Sequence, residues 1–204
     1  MLTRIISVFA VCASMSFVVK VSEAAEHNHQ AMQPKKQQMA SCEGVEITCA
    51  KTVTSAFAPN GDLWRLWALD SSIYFQISKD EGKTFSESHR VGIDKEKISA
   101  RNENRPKIAF DKYQGVYLSW ATPKKKKYTA DVRFSYSSDY GKTFTQPVTV
   151  NDDNLLTGHS FNEMLVTEEG DISIVWLDSR HSYQLRKQGK KTNGSALYLG
   201  KANY

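Results

Sequence analysis

The sequence predicts an all-β protein assembled from repeated four-strand units. After Cys49, short runs of alternating, β-branched and aromatic residues are divided by Gly, Asn and Asp turn signals, and no stretch sustains a helical period. The order of strands and turns recurs, with Ile73, Val132 and Leu197 in equivalent places 59 and 65 residues apart. One octapeptide, Ser78-Lys79-Asp80-Glu81-Gly82-Lys83-Thr84-Phe85, returns as Ser137-Ser138-Asp139-Tyr140-Gly141-Lys142-Thr143-Phe144 at the matching point of the second unit.

Residues 1–24 read as a signal peptide. Arg4 gives the positive start, an apolar run extends from Ile5 to Val19, and the small residues Ser22 and Ala24 suit a peptidase cutting after Ala24. The run is about fifteen residues against the roughly twenty of a bilayer span, so an uncleaved anchor is the poorer alternative. Val11 before Cys12 is too bulky for a good lipoprotein signal. The chain is therefore expected to be exported, periplasmic or secreted, with no membrane association after cleavage.

Residues 25–41 nearly lack large apolar side chains and read as a disordered polar linker. His27, His29, Met32 and Met39 are ligand types that suit copper, but a segment without fixed geometry implies no site, so no metal and no cofactor is expected. Cys42 and Cys49, seven positions apart in an oxidising compartment, are expected to form a local disulfide rather than to stay unpaired. So short a loop contributes about 2 to 3 kcal/mol at most.

The chain carries 27 basic and 22 acidic residues, a net charge of +5. Removing Arg4, Lys20 and Glu23 with the signal peptide leaves +4. The lysines gather in loops, Lys124 to Lys127 and Arg186 to Lys191, without interleaved aromatic platforms, which argues against nucleic acid as a partner.

Residues 42–204 then divide into three units, about 50–103, 104–153 and 154–204. In the first, strands are expected over Thr54 to Ala58, Leu63 to Leu69, Ile73 to Ser78 and beyond Phe85. In the second they are expected over Lys107 to Phe110, Val116 to Ala121, Val132 to Ser137 and Phe144 to Val150. The third begins with Glu163 to Thr167 and Ile172 to Trp176, followed by a long polar loop and Leu197 to Leu199.

The octapeptide has a physical logic. Asp80 and Asp139 can accept hydrogen bonds from N–H groups of their own turn, Gly82 and Gly141 supply a positive φ, and the hydroxyls of Thr84 and Thr143 close the far side. Phe85 and Phe144 are expected to open the outgoing strand and bury their rings between sheets. Ser78 and Ser137 complete a device whose polar groups satisfy one another, a folding element rather than a catalytic one.

Both copies fit Ser-x-Asp-x-Gly-x-Thr-aromatic, and the units resemble the Asp-box (BNR) blades of sialidase-like β-propellers, from about residue 50 to the end. Arg105-Pro106-Lys107-Ile108-Ala109 and Trp176-Leu177-Asp178-Ser179-Arg180 are similar to further segments of that superfamily. The resemblance implies four-stranded antiparallel blades in an incomplete propeller: about two and a half blades against a usual six. Closure then needs a longer gene product or another chain, with self-association through open blade edges as one route.

The resemblance also implies a rim site. Asp70 to Ser72, Arg101 to Arg105, the lysines from Lys124, Asn151 to Asp153, His159 and the segment Asp178 to Ser195 fall on one rim. Sialidases hold a carboxylate with three arginines and cleave with a Tyr nucleophile, a Glu and an acid/base Asp. Arg105 matches the first arginine, although Pro106 stands where an isoleucine is usual; Arg180 is a candidate second arginine and Asp178 a candidate acid, while a third arginine and the Tyr/Glu pair find no place. Rim salt bridging, for instance with Asp178, is the competing account of Arg105 and Arg180, and His159 and His181 read as solvated loop residues. Trp64, Trp67, Trp120 and Trp176 read as core rather than sugar platforms. The expected function is a non-catalytic module of the cell envelope that binds glycan or protein; an amino-terminal part of an exo-α-sialidase, or a decayed gene, are the alternatives.

Overall fold

The structure, a computed structural model, describes residues 44–192 and 194–202. The signal peptide, the whole linker and Cys42, and with it the pairing of Cys42 with Cys49, lie outside the described residues.

Three antiparallel sheets follow one another along the chain. The first holds β1 (Val53–Phe57), β2 (Leu63–Leu69), β3 (Ser72–Ser78) and β4 (His89–Arg90) side by side in that order. The second repeats the arrangement with β5 (Lys107–Phe110), β6 (Val116–Pro123), β7 (Ala130–Ser137) and β8 (Val148–Thr149). The third has β9 (His159–Val166), β10 (Ile172–Asp178) and β11 (Ala196–Ala202) in the same sequential order. These are propeller blades, and the fold is all-β as the strand pattern requires.

Alternation along the strands builds the two cores. Side chains one apart face opposite sides of a sheet, so Val116, Leu118 and Trp120 of β6 join Trp64, Leu66, Ile73 and Phe75 of the first blade. Tyr117, on the other face of β6, joins Val132 and Phe134 against Ile172, Ile174 and Trp176 of the third blade. Covered on both faces, β6 is buried from Val116 through Ala121, a run that is apolar or aromatic except at Ser119. Full burial of one such side chain stabilises by about 1.5–3 kcal/mol. Trp64, Trp120 and Trp176 belong to these cores, and Trp67 is buried apart from them, stacked on Tyr74 with its Nε1 donating to Val45 O.

The fourth strands are shorter than expected. In place of a strand opening at Phe85 or Phe144, only two residues pair, His89–Arg90 with β3 and Val148–Thr149 with β7. The ladder yields to side chains there: Gln76 Nε2 donates to Ser86 O, Ser86 Oγ accepts from Ile77 N, and Thr145 Oγ1 accepts from Tyr136 N. Pro147 also removes a donor just before β8.

Two further expectations are corrected. The segment after β10 is not loop throughout, because α1 (Arg180–Lys187) occupies its first half; a helix this short and polar carries no apolar stripe to announce it. His159 is not on a solvated loop: β9 begins four residues before the expected Glu163, and His159 lies within it, fully buried. His181 is exposed on α1.

Candidate functional site

Antiparallel order fixes one rim. In the first blade β1 starts, β2 ends, β3 starts and β4 ends on the same side, and the other blades follow suit. The connections β2–β3, β4–β5, β6–β7, β8–β9 and β10–β11 therefore share that side. The structure brings two features together there: an open cleft and a buried ionic cluster.

The cleft, about 500 Å³, lies where the β2–β3 turn meets the long β4–β5 connection, with Lys51, Asp70, Ser71, Ser99 and Arg101 on its walls and Pro123 at its edge. Asp70 and Ser71 are both left-handed, at φ 47° and 63°. Such a conformation is uncommon outside glycine and here turns two polar residues onto the rim. Ser99 N donates to Ala121 O at 2.8 Å, tying the β4–β5 connection to β6.

The cluster sits where the chain passes from the second blade to the third. Its centre is His159, whose Nδ1 lies 2.8 Å from Ala130 O. A carbonyl oxygen only accepts, so Nδ1 carries a proton and donates it. Nε2 then points toward Asp153 Oδ1 at 3.1 Å and Asp178 Oδ2 at 3.6 Å, with no hydrogen bond made at that nitrogen.

A bulge in β9 makes this burial possible. Val175 pairs with Glu163 but Leu177 pairs with Ser160, so Phe161 and Asn162 together oppose one residue of β10, and Phe161 takes φ 56°. The extra residue shifts the alternation, which lets both His159 and Asn162 face inward while Phe161 is exposed. Asn162 Nδ2 donates to Ser119 Oγ at 2.8 Å, and Phe161 N donates to Asn104 Oδ1 at 2.7 Å.

Asp178, at the end of β10, is fully buried. It accepts from Trp176 Nε1 at 2.9 Å, from Arg180 N at 2.8 Å and from Arg180 Nε at 2.9 Å. Burial pushes its carboxyl up, but the hydrogen bonds from Arg180 and Trp176 and the charge of His159 outweigh that and hold it below the usual carboxylate value. Such a carboxylate is a poor proton donor, since a general acid needs the opposite shift.

Arg180 also reaches Asp152 Oδ1 at 2.5 Å and Asp153 Oδ2 at 3.0 Å, and its guanidinium lies 4.3 Å from the centre of the Tyr198 ring. Burial alone would lower its affinity for a proton, but the hydrogen bonds it donates to Asp178 and Asp152 outweigh burial and raise it. Asn151 braces the loop below, accepting from Val132 N and donating to Asp131 Oδ1. Lys124 Nζ contacts Asp131 Oδ1 at 2.6 Å.

Of the residues singled out by sequence, Asp178 and Arg180 meet; Arg105 is elsewhere, capping the short 3-10 turn Asn102–Asn104 before β5. The ion pairs of Asp178 run to Arg180 and His159. Sequence reasoning missed Asp131, Asn162 and the buried Lys107, whose Nζ lies 2.5 Å from Glu163 Oε1 between the inner strands of two blades. A lysine in an inner strand directly after Arg105-Pro106 was the one available signal. Among the described residues, one group offers potential metal-ligand atoms all within 4.8 Å of one another: Asp153, His159 and Asp178.

The two octapeptides form closely matching turns. Gly82 N donates to Ser78 Oγ at 2.8 Å, and Thr84 gives Asp80 its N–H at 2.8 Å and its hydroxyl at 2.6 Å. In the second copy Gly141 N donates to Ser137 Oγ at 2.8 Å, and Thr143 gives Asp139 its N–H at 2.8 Å and its hydroxyl at 2.7 Å.

No protein-family model matches the chain, and no curated protein matches it. Among solved structures it is similar to a Penicillium chrysogenum alpha-L-arabinanase complexed with arabinobiose, at 19% identity and TM-score 0.54 over 78% of this chain and 47% of that one. It is also similar to the GH93 alpha-L-arabinofuranosidase of Fusarium graminearum with arabinobiose, at 17% identity and TM-score 0.53 over 79% and 47%. The chain spans about half the length of these proteins. What the likeness shows is the fold, a set of antiparallel β-propeller blades.

Proposed function

We propose that this chain is an exported propeller module of the cell envelope that binds carbohydrate on its rim without cleaving it. The observation that carries this reading is the cleft of about 500 Å³ walled by Lys51, Asp70, Ser71, Ser99 and Arg101. Its volume suits one or two sugar rings, and its lining is rich in hydroxyl, carboxylate and cationic groups that pair with sugar hydroxyls. A non-catalytic reading is supported by Asp178, whose carboxylate is held by Trp176 and Arg180 and whose proton affinity is lowered.

A second reading is a glycoside hydrolase completed by further blades. It is favoured by the likeness to an arabinanase and an arabinofuranosidase, each about twice the length spanned here. The finer sialidase version, suggested by the Asp-box resemblance, needs arginines free to grip a carboxylate. Arg180 is engaged with Asp152, Asp153 and Asp178, so only Arg105 stays as a candidate.

The test is a glycan array with the full chain, followed by fluorogenic sialoside and arabinoside assays on the same sample. Saturable glycan binding lost in Asp70→Ala and Arg101→Ala, with no release of either fluorophore, is the expected result. Turnover of either substrate would favour the second reading, and binding confined to envelope proteins would remove carbohydrate as the ligand.

A further inference from the structure

The side chains around His159 are short of positive charge. Asp131, Asp152, Asp153 and Asp178 face Lys124 and Arg180, so four carboxylates meet two fixed cations. Two of those carboxylates, Asp153 and Asp178, are aimed at the Nε2 of a fully buried imidazole that makes no hydrogen bond there. With Nδ1 donating to Ala130 O, Nε2 is the ring nitrogen left to face the two carboxylates. An imidazole nitrogen without a hydrogen-bond partner and two carboxylate oxygens thus converge on one point, an arrangement a cation placed between them would satisfy.

We propose that Asp153, His159 and Asp178 form a site for a divalent transition metal of the zinc class. The ligand types fit: one imidazole nitrogen, held in its tautomer by a backbone carbonyl, and two carboxylate oxygens. The spacing fits as well. Ligand atoms about 2.0–2.1 Å from a tetrahedral zinc are about 3.3 Å apart, and His159 Nε2 stands 3.1 Å from Asp153 Oδ1 and 3.6 Å from Asp178 Oδ2. All three atoms lie within 4.8 Å of one another, so a small closure of the β8–β9 loop that carries Asp153 brings the set to bonding distance. A divalent ion also supplies the two charges that Lys124 and Arg180 leave uncompensated. Calcium is disfavoured, because it prefers six or more oxygens.

Arg180 is the competitor. Its guanidinium shares Asp153 and Asp178 with the site, and its Nη2 stands 2.8 Å from Asp178 Oδ2 without hydrogen-bond alignment. Exposed Asp152 and the ring of Tyr198 give it a place to remain when a metal takes the carboxylates. The ion would act as a clasp at the entry to the third blade: it would join Asp153 of the β8–β9 loop and Asp178 at the end of β10 to His159 at the start of β9, whose ring is itself held to β7 through Ala130.

The experiment is a zinc titration of the full-length chain, stripped with EDTA and carrying His27→Ala and His29→Ala to silence the amino-terminal histidines. Zinc is expected to raise Tm by at least about 5 °C at saturation, with the rise abolished in Asp153→Asn and His159→Gln. Arg180→Gln removes the competing cation and is expected to saturate at least about tenfold lower zinc. Should His159→Gln fail to fold, nitrogen NMR of the His159 ring in the unaltered site decides: Nε2 shifts on zinc addition while Nδ1 keeps its proton. No Tm rise in either the parent or Arg180→Gln up to millimolar zinc, an equal rise in Asp153→Asn, or a His159 ring indifferent to zinc would each overturn the proposal.

Discussion

The turn from Ser78 to Phe85 in the first blade and the turn from Ser137 to Phe144 in the second share a pattern, a hydrogen-bond set and a backbone. In both, the glycine and the residue before it are left-handed: Glu81 and Gly82 at 60° and 89°, Tyr140 and Gly141 at 58° and 83°. Their surroundings differ. Gly141 backs onto Trp64 of the first blade, and Tyr140 reaches over to Asn60, Asp62 and Trp64. Glu81 is exposed, and the ring of Phe85 is capped by the guanidinium of Arg65 at 3.6 Å. Phe144, by contrast, packs edge-on to Phe75 of the preceding blade at 6.3 Å. One local device thus serves in the second blade as a joint between sheets and in the first as a self-contained turn.

The largest expected effect sharpens that contrast. A Cβ at position 141 would stand 2.7 Å from Trp64 Cη2, against 3.2 Å from Leu63 Cδ2 at position 82. Both substitutions carry the left-handed penalty of about 1–2 kcal/mol, and Gly141→Ala adds overpacking of a fully buried ring, about 1–3 kcal/mol more. Urea unfolding should show Gly141→Ala losing clearly more stability than Gly82→Ala. Equal losses would mean that the joint yields freely and that the two turns are tertiary equivalents.

Next in size is the tyrosine. Tyr140 OH accepts from Trp64 Nε1 at 3.3 Å and lies 2.8 Å from Asp62 Oδ2, to which it can donate. Tyr140→Phe strands the buried indole N–H, a cost of about 1–2 kcal/mol. Glu81→Ala, at the corresponding position of the first blade, is an exposed change and should stay within about 0.5 kcal/mol. Urea midpoints of the two variants measure the difference directly, and a loss in Glu81→Ala as large as that in Tyr140→Phe would break the comparison.

This contrast also explains what could be read from sequence. Period-two alternation and turn residues placed β2 and β5 at Leu63–Leu69 and Lys107–Phe110, because those signals are local. The octapeptide's polar groups were legible for the same reason, since every partner lies within five residues. The outgoing strands were not, because Ser86 and Thr145 side chains take over the ladder positions that a strand at Phe85 or Phe144 would use. Nor was the candidate site. His159 is buried by a one-residue bulge in β9, and its neighbours Asp131, Asp153 and Asp178 come from three separate stretches of chain. Asp178 and Arg180 were singled out, but only the fold shows that they are bound to each other rather than offered to a ligand.

The smallest effect tests the part that the two turns share. Asp80 and Asp139 are each held down to about 2, in both cases first by the threonine hydroxyl, then by the threonine N–H and the serine hydroxyl. An unfolded aspartate titrates near about 3.9. A carboxyl depressed in the folded state gives stability that is present above the unfolded value and fades as pH falls through the folded one. The contribution of both turns should therefore be intact above about pH 4 and disappear toward pH 2. Both carboxylates are exposed, so the change is a modest bend in the acid limb rather than a collapse, and Asp178, also lowered, supplies a background common to all variants. Asp80→Asn and Asp139→Asn should each flatten the limb by the same amount in urea midpoints measured from pH 5 down to pH 2. Equal flattening would establish that the local chemistry is independent of Trp64 and Tyr140. If Asp139→Asn flattened the limb more, the joint would be tuning its own turn, and the separation of local device from tertiary setting would fail.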